Sequence, residues 1–268
     1  MEQHKNNLKI IADKKNARVI LPNMLTLIGV CIGLTSIRFA LSGEFHLAII
    51  AIIFAALFDG LDGRIARLIK GTSKVGKELD SLTDMISFGV APAFIMYFWK
   101  LNTLGRFGWL LCLIYVICVA LRLARFNVNS NQEPSWKDNF FEGVPSPAGG
   151  ILVLTPLIFS LSGFDFIQIN YDIIVPIFFV ATSFLLISKF PSYSFKKIVI
   201  QRKTTIFLLF SIVLFFGLLL IYTFKVIALS GLVYLMLIPI SFLHYQKIKK
   251  QKNIDSTRDE NDDLEDIL

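Results

Sequence analysis

Cysteine, histidine and charge are all scarce in this chain. The three cysteines, Cys31, Cys112 and Cys118, lie in apolar stretches without CxxC or Cys/His spacing, so neither a disulfide framework nor a zinc site is expected and they read as packing residues. Charged residues make up 18% of the chain against 54% hydrophobic, too apolar a balance for a soluble domain of 268 residues. No short apolar core ending in a small-residue cleavage site follows the polar leader, so the first apolar stretch is read as a retained anchor rather than a cleavable signal. What is present instead is a long series of apolar runs, the pattern of a polytopic membrane protein.

A span needs about 20 mostly apolar residues. Eight stretches come close, at 22–42, 47–63, 82–99, 107–124, 148–163, 172–188, 204–223 and 226–244. Of the 27 Lys and Arg, all but Arg38, Lys100, Arg106 and Lys225 fall on one side of these spans, which the positive-inside rule makes the cytoplasmic side. The expectation is an all-α membrane helix bundle of about eight transmembrane helices with a polar cavity facing the cytoplasm, where both termini also lie. Three regions follow: a basic leader over 1–20, a membrane-embedded domain over 21–246, and an acidic tail over 247–268 read as solvated and disordered. The net charge of +7 needs no nucleic acid to explain it, because a basic cytoplasmic face also meets anionic lipids.

Against this apolar background one stretch stands out, FDGLDGRIARLIKGTSKVGKELDSLTD, in which Asp59, Asp62, Gly63, Ala66 and Arg67 precede Gly76, Asp80 and Asp84. Positions i, i+3, i+4, i+7 and i+8 share one face of an α-helix, so the first five line a stripe at the end of the second span. Gly76, Asp80 and Asp84, at i, i+4 and i+8, form a matching stripe at the start of the third. The loop between them carries Gly71 and hydroxyls, a turn signal. The expected product is a helical hairpin with carboxylates facing one cavity. Taken singly, each Asp reads as a helix cap or as a partner of Arg64, Arg67, Lys74 or Lys77. As a fixed constellation at membrane depth they mark a working site.

Four carboxylates held together need compensation, and a divalent cation with hard oxygen ligands supplies it. Without nearby His or Cys ligands the pattern favours Mg2+ or Mn2+ over zinc. Gly63 and Ala66 leave room beside the helix for a bulky headgroup, and Arg67 is placed to counter phosphate charge.

The pattern Asp59-x2-Asp62-Gly63-x2-Ala66-Arg67-x8-Gly76-x3-Asp80-x3-Asp84, complete at all its positions, resembles the signature of the CDP-alcohol phosphatidyltransferases. The resemblance implies a membrane enzyme, a homodimer, in which a CDP-linked lipid gives its phosphatidyl group to an alcohol and CMP leaves. It further implies that Asp59, Asp62 and Asp80 bind metal and that Asp84 is the base and a metal contact as well. Donor contacts carry over to Gly63, Arg67 and Ser73, and to the Pro22, Asn23 and Thr26 opening of the first span.

Three further segments, RLARFNVN, FFEGVPSPAGG and SKFPSYSFKK, are similar to those of family members that use L-serine as acceptor and CDP-diacylglycerol as donor. On that likeness Arg122, Arg125, Asn127, Glu142 and Ser146 are candidate acceptor-binding residues. A guanidinium suits a carboxylate or phosphate as a planar two-point partner, and Glu142 suits an ammonium group. Plain positive-inside anchoring accounts equally for the two arginines, and a helix start for Pro145-Ser146-Pro147. Other readings are an acceptor such as glycerol 3-phosphate or an inositol compound, and a cation transporter. Against the transporter stands the confinement of the carboxylates to one hairpin, with no repeat in the second half.

Overall fold

The computed structural model describes residues 2–129, 140–163, 170–188, 191–193 and 202–265, with side chains described over 20–128, 143–163, 170–188, 207–215 and 217–246. Its chain order is α1 (Glu2–Leu41), α2 (Phe45–Leu68), α3 (Lys74–Asp84), a π turn (Met85–Val90), α4 (Ala91–Trp99), a 3-10 turn (Leu101–Leu104), α5 (Arg106–Asn129), β1 (Phe140–Glu142), α6 (Ser146–Leu161), α7 (Tyr171–Ile187), β2 (Pro191–Tyr193), α8 (Arg202–Ile221) and α9 (Thr223–Glu265). Two compact units result, one from Met1–Asn131 with Pro145–Ile187, the other from Gln132–Val144 with Ser188–Leu268.

The first unit is built on the α1–α2 pair. Gly43, with φ +78, makes the reversal that the left-handed region allows a glycine without strain. α2 buries Ala48, Ala51, Ile52 and Ala55, a stripe of mostly small side chains at helical spacing that lets it lie close to α1. On α1, a Cβ added at Gly33 would stand 3.1 Å from the Cα of Ser87, so that glycine admits the third membrane segment to backbone contact. α5 packs on α7, with Tyr115 and Phe179 edge to face at 5.5 Å and both fully buried. At the end remote from the Asp hairpin an aromatic group gathers. Tyr97 and Trp109 stand 5.4 Å apart, as do Trp99 and Tyr171, and Lys100 pairs with Asp172 at 3.0 Å.

Among the described residues five helices are long and apolar enough to cross a membrane: Ile20–Leu41, Phe45–Leu68, Lys74–Trp99, Arg106–Val128 and Thr223–Gln246. The protein is therefore a helical membrane protein. The remaining apolar helices, Ser146–Leu161, Tyr171–Ile187 and Phe207–Ile221, are shorter. At about 1.5 Å per residue the first two of these rise roughly 24 to 26 Å, less than the ~30 Å hydrocarbon layer.

Two features of the second unit differ from expectation. Beside the expected all-α architecture stands one three-residue antiparallel pair, in which Phe140 faces Tyr193 and Glu142 faces Pro191. It joins FFE to PSY, parts of two of the segments singled out in the sequence, and their aromatic residues suit a strand. α9 also continues as helix to Glu265, through most of the stretch read as a disordered tail. Once the apolar part has nucleated a helix, each further residue needs only propagation, and the Lys, Gln, Glu and Arg of the tail are acceptable helix formers.

Candidate functional site

The expected hairpin forms. α2 ends at Leu68, and the chain reverses through Lys70, whose φ of +53 is left-handed although it is not glycine. The Gly71 N–H closes the turn onto the Ala66 carbonyl at 2.9 Å. Ser73, in extended conformation, caps α3 by accepting from the Gly76 N–H at 2.9 Å. The two Asp stripes thereby face each other. Asp59, Asp62 and Asp80 each offer a carboxylate oxygen, and the three oxygens lie within 4.8 Å of one another.

α1 closes the third side. Thr26 Oγ1 donates to Asp62 Oδ2 at 2.5 Å and also lies 3.0 Å from the Pro22 carbonyl, while Asp62 is only 3% exposed. A cavity of about 630 Å3 opens between α1 and the hairpin, lined by Pro22, Asn23, Thr26, Asp62, Gly63, Ala66, Arg67, Gly71, Thr72, Ser73, Lys74, Gly76, Lys77 and Asp80. Every residue expected to touch the donor is in that lining: Asn23, Thr26, Gly63, Arg67 and Ser73. Lys74, Lys77 and Thr72 join them, and the sequence reading had not assigned them to the site. Their signal was available, since Lys74 and Lys77 open α3 and Thr72 stands in the loop just before its cap, where anions collect at a helix N-terminus.

The two glycines of the motif, Gly63 and Gly76, play opposite parts. A Cβ at Gly76 would come within 2.9 Å of Asn23 Oδ1 and 3.1 Å of Ser73 Oγ, so Gly76 permits the close approach of α1 to α3. A Cβ at Gly63 would meet nothing within 4 Å. The space at Gly63 is open cavity that internal packing does not use. Arg67 donates Nε to the Gly63 carbonyl at 3.0 Å, which holds its side chain along the cavity wall.

Asp84 stands apart from the converging three, one turn further along α3. Its carboxylate lies beside the Asp59 carboxylate and the Ser146 hydroxyl, within electrostatic reach of Arg122. Its Oδ1 is buried without a hydrogen-bond partner. An orphaned carboxylate oxygen beside three others is an acceptor set for a cation or for a donor hydrogen of a bound molecule. As a whole the donor atoms are oxygens only, which suits a hard divalent ion such as Mg2+ or Mn2+.

The acceptor candidates divide. Arg122, 8% exposed, donates Nη1 to Ser146 Oγ at 2.6 Å, and Ser146 has no exposed surface. These two, on α5 and α6, are brought to Asp84. Arg125 donates Nη1 to the Ile187 carbonyl at 2.7 Å, capping the C-terminus of α7, where a positive charge also meets the negative end of the helix dipole. Asn127 donates Nδ2 to Ser81 Oγ at 2.9 Å and so ties α5 to α3. The backbone of Glu142 belongs to β1, and its side chain lies outside the described residues. Pro145 is the N-cap of α6 and Pro147 stands in its first turn, so the helix-start reading of that turn holds alongside the Arg122 contact.

Known proteins resemble this chain over most of its length. A curated relative from Mycobacterium leprae, named CDP-diacylglycerol--serine O-phosphatidyltransferase, is 44% identical over 174 residues, covering 64% of this chain and 57% of the relative. The relative of that name from Helicobacter pylori is 36% identical over 201 residues, 75% of this chain and 83% of its own length. One from Bacillus subtilis, again so named, is 33% identical over 178 residues, 66% and 92%. The chain spans about half the length of the mycobacterial relatives it matches, 57% of one and 48% of another. The sequence profile of the CDP-alcohol phosphatidyltransferases matches residues 19–238, which takes in α1, the carboxylate hairpin and the Arg122–Ser146 pair alike. The chain belongs to the CDP-alcohol phosphatidyltransferase family.

Proposed function

We propose that the protein transfers the phosphatidyl group of CDP-diacylglycerol to the hydroxyl of L-serine, releasing CMP and forming phosphatidylserine. The observation that carries this reading is the convergence of Asp59, Asp62 and Asp80 within 4.8 Å beside a cavity large enough for a nucleotide headgroup. The names carried by the relatives supply the acceptor.

Asp59, Asp62 and Asp80, with Asp84 at their edge, are the residues that would hold a divalent ion, Mg2+ or Mn2+. When bound, the ion neutralises pyrophosphate charge and eases departure of CMP. The chain's own residues do the rest. Thr26 fixes one oxygen of Asp62 and so orients that carboxylate. Asn23, Gly63, Arg67 and Ser73 line the donor cavity, Arg67 contributing charge against phosphate and Gly63 contributing room. Asp84 Oδ1, buried and without a partner, accepts the proton of the serine hydroxyl as oxygen attacks the lipid phosphorus in line with the leaving CMP. Arg122, held by Ser146, is the candidate for the serine carboxylate. Arg125 and Asn127 support that wall through Ile187 and Ser81.

In the same proposal residues 21–246 form the membrane-embedded domain, the apolar helices make about eight spans, and both termini and the cavity face the cytoplasm. The positive-inside asymmetry supports that orientation. The working unit is a homodimer.

The test is product formation by purified protein in liposomes with CDP-diacylglycerol, Mg2+ or Mn2+, and L-serine, glycerol 3-phosphate or inositol in parallel. Phosphatidylserine and CMP with serine alone are expected. Turnover with another acceptor would reject the serine assignment, and no CMP release by folded protein with any acceptor would reject the transferase reading.

A further inference from the structure

The third membrane segment changes its winding immediately after Asp84. Met85–Val90 is a π turn in which the Ala91 N–H donates to the Ile86 carbonyl, five residues back. The cause is in the sequence. Pro92 has no N–H to offer, and its ring crowds the carbonyl of the residue four before it, which is Phe88. That carbonyl accepts instead from the Tyr115 hydroxyl at 2.7 Å, and the Tyr115 side chain has no exposed surface. Inside an apolar bundle neither group has water as an alternative partner, so the bond is hard to give up.

Neighbouring helices close on the turn from two further sides. A Cβ at Gly33 of α1 would stand 3.1 Å from Ser87 Cα, and one at Gly150 of α6 would stand 3.2 Å from Phe88 Cβ. The turn is thus gripped by α1, α5 and α6; Ser87 Oγ reaches the Gly29 carbonyl of α1 at a long 3.4 Å, and the short bond is the one that Tyr115 of α5 donates.

One inserted residue advances the phase of a helix by about 100°, one residue's share of a 3.6-residue turn. The π turn therefore sets the azimuth of α3, with Asp80 and Asp84, against the packed face of α4. We propose that Tyr115 is a positioning residue for the transfer reaction: by holding the Phe88 carbonyl it maintains the π turn that aims Asp84 at the Asp59 carboxylate. The inference rests on the reading of Asp84 as the base. Tyr115 itself touches no substrate.

Tyr115→Phe removes the oxygen and keeps the ring against Phe179. In steady-state assays with CDP-diacylglycerol, L-serine and Mg2+ or Mn2+, kcat is expected to fall about ten- to a hundredfold, the range that small misplacements of a reacting group produce. KM for the CDP lipid and stabilisation by CMP are expected to stay at wild-type values, because the cavity lining lies before the turn. A purely structural role would lower Tm and leave the kcat of folded protein unchanged, and that result overturns the proposal. Gly150→Ala presses on the same turn from α6 and is expected to give the same split between kcat and KM, so it serves if Tyr115→Phe does not fold. A structure of either variant decides independently of turnover. Met85–Val90 still in π winding, with Asp84 in place, overturns the proposal. A turn relaxed to α-helix supports it, even should the wild-type chain show no transfer and the functional reading fall alone.

Discussion

Gly63 separates the needs of the fold from those of the ligand. Alanine there adds a methyl that meets no atom within 4 Å, in a residue inside α2. With no steric cost, the gain in helix propensity is about 0.5–1 kcal/mol, so Tm of the ligand-free protein is expected to rise by about 2 °C. The same methyl projects into the cavity beside Asp62. If the donor headgroup packs against the α2 backbone, the extra volume costs about 1–3 kcal/mol of binding, or roughly 5- to 150-fold in Kd. Thermal unfolding with and without CMP, and calorimetric titration with CDP-diacylglycerol in detergent, measure both sides. Stability and affinity are expected to move in opposite directions. A rise in Tm with donor Kd within twofold of wild type would refute the placement of the headgroup at Gly63. Gly76→Ala is the control, since its methyl meets Asn23 Oδ1 at 2.9 Å and Ser73 Oγ at 3.1 Å. It is expected to lower Tm by disturbing the α3 cap, worth about 1 kcal/mol.

Asp84→Asn keeps the shape of the side chain and removes its basicity. Folded protein that binds CMP with turnover reduced at least about a hundredfold is expected, and near-normal turnover would take Asp84 out of the role of base. Thr26→Val withdraws the hydroxyl from Asp62 Oδ2, and Mn2+ affinity followed by electron paramagnetic resonance is expected to weaken by about 10- to 100-fold, the usual effect of losing a partner that orients a ligand. An unchanged Mn2+ titration would show that Asp62 needs no such support. Lys70→Gly relieves a left-handed backbone at φ +53 and is expected to stabilise the hairpin by about 1 kcal/mol, read as a higher Tm.

The hairpin was legible because helical spacing alone puts Asp59, Asp62, Gly63 and Arg67 on one stripe and Asp80 and Asp84 on another. The third wall of the cavity was legible for the same reason, with Asn23 and Thr26 one turn apart on α1. What lay beyond reach was set by partners distant in sequence. Arg125 is occupied by a carbonyl 62 positions away, and nothing local distinguishes it from Arg122, whose partner is a buried hydroxyl. The π turn had a local sign in Pro92, but a proline inside an apolar span fits a simple kink equally well until Tyr115 is seen to hold the displaced carbonyl. The left-handed residue of the loop is Lys70, where composition pointed to Gly71. The span count depended on helix ends, and in α6 and α7 those ends leave helices shorter than the bilayer core.

The aromatic group around Trp99, Trp109 and Tyr171 serves as a depth gauge. Rings of this kind rest at the boundary between hydrocarbon and headgroups. From Trp99 back to Asp84 the third segment climbs about 23 Å at 1.5 Å per residue, against a slab of about 30 Å. With those rings at one boundary and the segment upright, the carboxylates would lie several ångströms beneath the opposite boundary, below the level at which lipid phosphates rest. On the proposed function, the lipid donor would have to sink by that distance while its tails stay in the leaflet, and the incoming acceptor would have to descend from water to meet it. Bilayer thickness would thus become a variable of the proposed reaction: thicker membranes would lengthen the descent, and thinner ones would bring the phosphate plane down to the aspartates.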